Sequence, residues 1–206
     1  MKPPSSYKKN YRALLPLAGS SLFVLLYLTA AALYPGGSQA DAHAEGFSWM
    51  HNYWCNLLAE KGLNGQPNTG RYFGYTAMLV LALSLLSFWT IAVQGLGFSK
   101  SSKAILVICS LLSLLPLPFL PTPYHDSVIN VSASAGLVAM ILIYIALYKK
   151  KWKLLFGAGI FNLLLVALNN YIYYRTSLYY LPLVQKFTFL SFLVWVCAVT
   201  VKLYRQ

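Results

Sequence analysis

Six apolar stretches, each near the length of a membrane-crossing helix, run through this chain at about 13–34, 72–95, 104–120, 128–148, 154–173 and 183–203. A hydrocarbon core of about 30 Å takes roughly 20 apolar residues per helical crossing. Lipid offers no partner to backbone N–H and C=O groups, so a crossing segment must satisfy them internally, as a helix does. The expected architecture is an all-α integral membrane protein, one domain over residues 1–206, built as a six-transmembrane-helix bundle. Composition agrees: 58% of residues are hydrophobic and 10% charged, against about 25% charged in soluble domains, and mean hydropathy is +0.59.

The charges orient this bundle. Lys2, Lys8, Lys9 and Arg12 precede the first stretch, Lys100 and Lys103 lie between the second and third, Lys149, Lys150, Lys151 and Lys153 between the fourth and fifth, and Lys202 and Arg205 near the end. The opposite side holds only Lys61, Arg71, Arg175 and Lys186, with every acidic residue (Asp41, Glu45, Glu60, Asp126) and every histidine (His43, His51, His125). Lys and Arg beside spans mark the cytoplasmic side. Both termini are therefore expected in the cytoplasm, with the acidic side facing out. The formal charge of +12 is distributed over span ends, a pattern set by topology and anionic headgroups rather than by nucleic acid.

Other signals are quiet. The first stretch has the outline of a signal peptide, but its apolar run exceeds the usual core of about 7–15 residues, so it is expected to remain as an anchor. Cys109 and Cys197 lie inside stretches and Cys55 stands alone, which implies no disulfide framework. The two halves share no matching Gly, Pro or polar positions of the kind inverted-repeat transporters carry.

The polar chemistry gathers on the non-cytoplasmic side. The connection at 35–71 exceeds the length of ordinary structureless loops, so part of it is expected to be ordered, as a cap. Within it, 47–60 (FSWMHNYWCNLLAE) lacks Gly and Pro. On a helix, Asn52, Asn56 and Glu60 form one stripe with His51 and Cys55 beside it, and Phe47, Met50, Trp54, Leu57 and Leu58 cover the other side. The spacing predicts a short amphipathic interfacial helix between spans one and two. Pro116 and Pro118 should bend or break the third helix. Asp126 or Ser127 is placed to cap the fourth, whose Asn130 and Ser134 can face the bundle interior. The fifth carries Asn162 and Asn169 one heptad apart, followed by Asn170 and Arg175 among tyrosines that suit an interfacial belt.

Each group has a structural reading beside the functional one. His125 and Asp126 are either a helix start or a catalytic pair. His51, Asn52, Asn56 and Glu60 are either the wet face of an interfacial helix or a site, and Asn162 and Asn169 either interhelical hydrogen-bond glue or a site.

The segment Asn52-Tyr53-Trp54-Cys55-Asn56, the positions Pro67, Asn68 and Arg71, and His125 opening the fourth span resemble an uncharacterised six-span bacterial membrane family, domain of unknown function 998. That family has an Asn-Tyr motif after its first span and a histidine opening its fourth. The resemblance implies a fold and no established activity. Cys55 and Asn56 stand where the family pattern has Ser and Asp, so no carboxylate role carries over to them.

Two functional readings follow. In the first, an outward polar cleft binds a lipid headgroup, a small amphipathic ligand or a membrane protein partner: Arg71 and Arg175 engage an anionic head, and Asn52, Asn56, Asn130, Asn169 and Asn170 supply neutral hydrogen bonds. In the second, His51, His125 and Asp126 hold zinc or another divalent metal, or act as acid and base with Glu60 as second carboxylate, in a lipid hydrolase or transferase.

Overall fold

A computed structural model of the chain describes residues 14–119, 122–175 and 178–205, with only the backbone at Pro118, His125 and Leu178. Six α-helices follow in order: α1 (Leu15–Ala32), α2 (Arg71–Gly95), α3 (Lys100–Leu114), α4 (His125–Lys149), α5 (Lys153–Arg175) and α6 (Leu181–Tyr204). Five of them, α3 being the exception, are long and apolar enough to cross a membrane. The chain is an all-α integral membrane protein. The 15 residues of α3 give about 22 Å of helix at 1.5 Å per residue, short of a full crossing.

Local chemistry sets the helix ends. Gly97, at φ +76°, follows α2 in the left-handed conformation that closes helices, and Ser99 caps α3 by accepting the Ser102 N–H at 3.2 Å. The α3 helix stops at Leu114, two residues before Pro116, as expected from a residue with no N–H to continue the ladder. A 3-10 helix, Leu117–Phe119, carries on from there. The fourth helix departs from expectation: it opens at His125 with Tyr124 as N-cap, and no side chain bonds in that role. Asp126 falls instead in the first turn, where a carboxylate still suits the positive end of the helix dipole.

The interfacial helix expected over 47–60 is not a continuous helix. Residues 49–51 form a turn, and the helical part is a 3-10 helix, Trp54–Leu58. Two asparagines explain this. Asn52 Oδ1 accepts the Ser48 N–H at 2.8 Å, and Asn56 Oδ1 accepts the Tyr53 N–H at 2.6 Å. Short amide side chains compete with main-chain carbonyls for backbone donors, and here they divide the segment into two turns.

Packing forms two layers along the bundle axis. Toward the lysine-rich end, Phe88, Trp89, Ala92, Leu106, Ile143, Leu147, Val196 and Val199 make one core shared by α2, α3, α4 and α6. Gly159 of α5 joins it because a Cβ there would lie 2.4 Å from the Tyr144 ring, and Trp195 Nε1 donates to the Leu155 carbonyl at 2.8 Å. Toward the other end, Phe23, Tyr27, Ala30, Leu57, Ala77, Leu81 and Leu193 join α1, α2 and α6 beneath the cap. The seam between α1 and α2 is made by small residues: a Cβ on Gly19 would meet that of Ser84 at 2.6 Å, and Ser84 Oγ donates to the Pro16 carbonyl at 3.0 Å. Many large apolar side chains remain exposed along the helices, among them Leu25, Leu79, Leu83, Ile108, Leu164 and Val194, as a lipid-facing surface requires.

Candidate functional site

The connection 33–70 folds into a tight cap on α1, α2 and α6. Antiparallel bridges pair Gly36 with Glu45 and Lys61 with Pro67. Gly37, at φ +82°, admits no side chain, since a Cβ would lie 2.3 Å from the Asn64 nitrogen. Tyr34 Oη accepts the Leu63 N–H at 3.0 Å, and Asn64 Nδ2 donates to the Pro35 carbonyl at 2.9 Å. Asn68, buried, donates from Nδ2 to the Leu57 and Ala59 carbonyls at 3.2 and 3.0 Å, which fixes the 3-10 helix to the chain entering α2.

Asn52 is fully buried at the centre of this cap. Its Nδ2 donates to the Gly37 carbonyl at 2.9 Å while Oδ1 holds Ser48, so one side chain ties two arms of the loop. Its own carbonyl accepts a hydrogen bond from Lys186 Nζ. Lys186 lies in the second turn of α6, 5% exposed, and donates also to the Pro182 carbonyl at 3.1 Å, with its nitrogen 5.4 Å from the centre of the Phe47 ring. A buried ammonium costs several kcal/mol unless a counter-charge compensates it. Among the described residues no carboxylate lies within ion-pair distance of Lys186; the one such pair found is Arg71 with Glu60, at 3.6 Å.

Buried polar atoms without partners occur both in the cap and along α5 and α6. His51 Nδ1 is 3.3 Å from Ser48 Oγ and its ring lies 4.4 Å from that of Tyr179, but Nε2 is buried without a hydrogen-bond partner. The same holds for Trp54 Nε1, whose indole packs on Tyr27 at 4.7 Å and Phe189 at 6.1 Å. On the α5 side of α6, Asn169 Nδ2 donates to Leu165 O at 2.9 Å and to Thr188 Oγ1 at 2.5 Å, leaving Oδ1 unpartnered; Gln185 Oε1, one turn before Thr188, is also buried and unpartnered. Buried polar groups are nearly always satisfied, and those left without partners among the described residues are spread over the cap (His51, Trp54, Asn68), α2 (Trp89), α4 (Ser132), α5 (Asn162, Asn169) and α6 (Gln185).

The remaining residues singled out from sequence are dispersed. Asn56 caps the 3-10 helix. Glu60, 80% exposed, pairs with Arg71 beside a shallow cleft of about 110 Å³ at the head of α2. Asn130 and Arg175 are exposed, on α4 and in the last turn of α5. Asn170 is exposed and donates to the Val166 carbonyl at 3.0 Å. Asp126 is exposed in the first turn of α4, and the His125 side chain lies outside the described residues. Among the described residues no three His, Cys, Asp or Glu side chains lie together as a metal would need. Glu60 pairs with Arg71 at the head of α2, His51 packs against Tyr179, and the Asp126 charge reaches Cys55 of the cap.

Cys55 is no nucleophile in this setting. Burial pushes its thiol up, outweighing the lowering by its backbone hydrogen bonds and by the Lys186 charge, which keeps it protonated at neutral pH.

No known family, curated protein or solved structure matches this chain. Its chemistry is therefore read from the site alone. The residue that sequence reasoning passed over is Lys186, counted there only as an outer charge. The signal was present: α6 carries one charge besides Lys202 in its last turn, and a cation in the early turns of a span is rare in membranes and usually faces the protein interior.

Proposed function

We propose that the chain is a six-span membrane protein whose cap faces outward from a bacterial cytoplasmic membrane and which binds the polar head of an amphipathic ligand, a membrane lipid, at the junction of cap and α6. In this reading α3 and its 3-10 extension serve as the sixth span, and the lysine-rich end lies in the cytoplasm by the positive-inside rule. The resemblance to domain of unknown function 998 implies the same six-span layout.

One observation carries the binding reading: two polar atoms of the cap, His51 Nε2 and Trp54 Nε1, are buried without partners, the indole against Phe189 of α6 and the imidazole against Tyr179 just before it. Ligand sites have this make-up, mostly apolar walls with a few placed polar groups. Location adds to it. The second turn of α6 lies about 8 Å below the start of that helix, the depth of a headgroup boundary.

The test is native mass spectrometry of the protein released from a mild neutral detergent. The wild type should retain a near-stoichiometric amphipath, and the His51→Phe/Trp54→Phe double variant, which keeps both rings but removes both nitrogens, should lose most of it. Bare protein in the wild-type spectrum, or equal retention in the variant, would overturn the reading.

A further inference from the structure

We infer that the head group seated under the cap is anionic, a phosphate or carboxylate, and that Lys186 is its counter-charge; this rests on the ligand site proposed above.

Three observations separate an anion from a neutral head. First, Lys186 is 5% exposed, and its direct contacts among the described residues are two main-chain carbonyls and the face of Phe47, with no carboxylate at ion-pair distance. Carbonyl dipoles and a ring quadrupole each supply a fraction of a charge, and the third N–H of the ammonium has no acceptor among the described residues. Second, the cap side of α6 presents a fixed donor: of its two unpartnered groups, an indole Nε1 only donates, and His51 Nε2 donates in the tautomer whose Nδ1 accepts from Ser48 Oγ. Third, these donors belong to one connected wall. Phe47, over which Lys186 sits, packs on Trp49 at 5.1 Å; Trp49 packs on Trp54 at 6.5 Å; and Trp54 meets Phe189, one turn along α6 from Lys186. His51 precedes the very residue whose carbonyl holds the ammonium.

The acceptor Asn169 Oδ1 belongs to the seam between α5 and α6, where its amide bonds Thr188. An anion gains most on the cap side, because charge-assisted bonds from an ammonium and an indole strengthen with negative charge on the acceptor. Arg71, engaged with Glu60 and Tyr72 at the head of α2, is not needed for it.

The experiment is a thermal-shift series on the full chain in dodecyl maltoside with four probes: phosphatidic acid, diacylglycerol, phosphatidylcholine and inorganic phosphate. The variants are Lys186→Gln, Lys186→Arg and Trp54→Phe. A ligand that binds only the folded state raises Tm with concentration. Phosphatidic acid should raise the wild-type Tm by several degrees at saturation, with diacylglycerol and phosphatidylcholine giving less than a third of that shift. Lys186→Gln should abolish the preference for the anionic lipid, Lys186→Arg should preserve most of it, and Trp54→Phe should weaken it about tenfold in apparent affinity while leaving Lys186 in place should the Gln variant fold poorly. A shift from inorganic phosphate matching that from phosphatidic acid would support the anion and assign it to a soluble source. Diacylglycerol acting as strongly as phosphatidic acid, with the preference unmoved by Lys186→Gln and Trp54→Phe, would overturn the anion while leaving the amphipath site standing. No shift from any probe would overturn both.

Discussion

Replacing Asn52 by alanine tests whether this residue builds the cap or waits there for a ligand. The side chain makes two hydrogen bonds from full burial, at 2.8 Å to the Ser48 N–H and 2.9 Å to the Gly37 carbonyl. Each is worth about 1 kcal/mol net, and stranding the carbonyl of the buried Gly37 adds about 1–3 kcal/mol. A total near 3 kcal/mol raises the population of opened cap about 150-fold, at tenfold per 1.4 kcal/mol. The tie to Lys186 survives, because it uses the main-chain carbonyl of residue 52. Hydrogen exchange by mass spectrometry, in detergent and without added lipid, reads this directly. Peptides that contain the Gly37 and Asn64 amides, bonded to Ala44 O at 2.7 Å and Gly36 O at 3.2 Å, should exchange about 100-fold faster in Asn52→Ala. Peptides from 139–147 and 195–200, in the opposite layer, should be unchanged. Cap amides that exchange within about threefold of wild type would refute the argument and return Asn52 to the role of a ligand contact.

Two further outcomes follow from single contacts. Gly159→Ala should destabilise the lysine-rich layer by about 1–3 kcal/mol through overpacking against the Tyr144 ring, and the same change in a Tyr144→Ala background should cost markedly less; denaturant unfolding of the four variants forms the cycle, and strict additivity would sink the contact. The Cys55 thiol, held up by burial, should react with maleimide along a pH profile displaced above that of a free cysteine, and because the unfolded chain releases this proton first, stability should fall as pH rises through the ordinary thiol range; a profile at or below that of free cysteine would contradict the burial.

Several features of this fold were legible one residue at a time. The crossing helices follow from apolar runs, since lipid leaves a backbone few alternatives, and α3 ends beside Pro116 because that residue cannot extend the ladder. That the long connection is ordered followed from its length. Its internal form did not. The stripe of Asn52, Asn56 and Glu60 has perfect helical spacing, yet Asn52 and Asn56 turn back onto Ser48 and Tyr53, and Glu60 reaches Arg71 instead. Periodicity shows which residues would share a face if a helix formed, whereas local side-chain hydrogen bonds decide whether it forms.

The candidate site marks the same boundary more sharply. From sequence, Lys186 is one charge among sixteen basic residues, and His51 and Trp54 are two residues of an apparent helix. Its significance comes from Asn52, 134 positions away, whose carbonyl meets the ammonium once the cap has closed over α6. Hydropathy and charge by themselves determined that this chain crosses a membrane and which ends of its helices are basic, because those properties sum along the chain. Only the tertiary structure decided that the Lys186 ammonium is buried with no carboxylate at ion-pair distance among the described residues, because burial and partnership belong to pairs of residues brought together by folding.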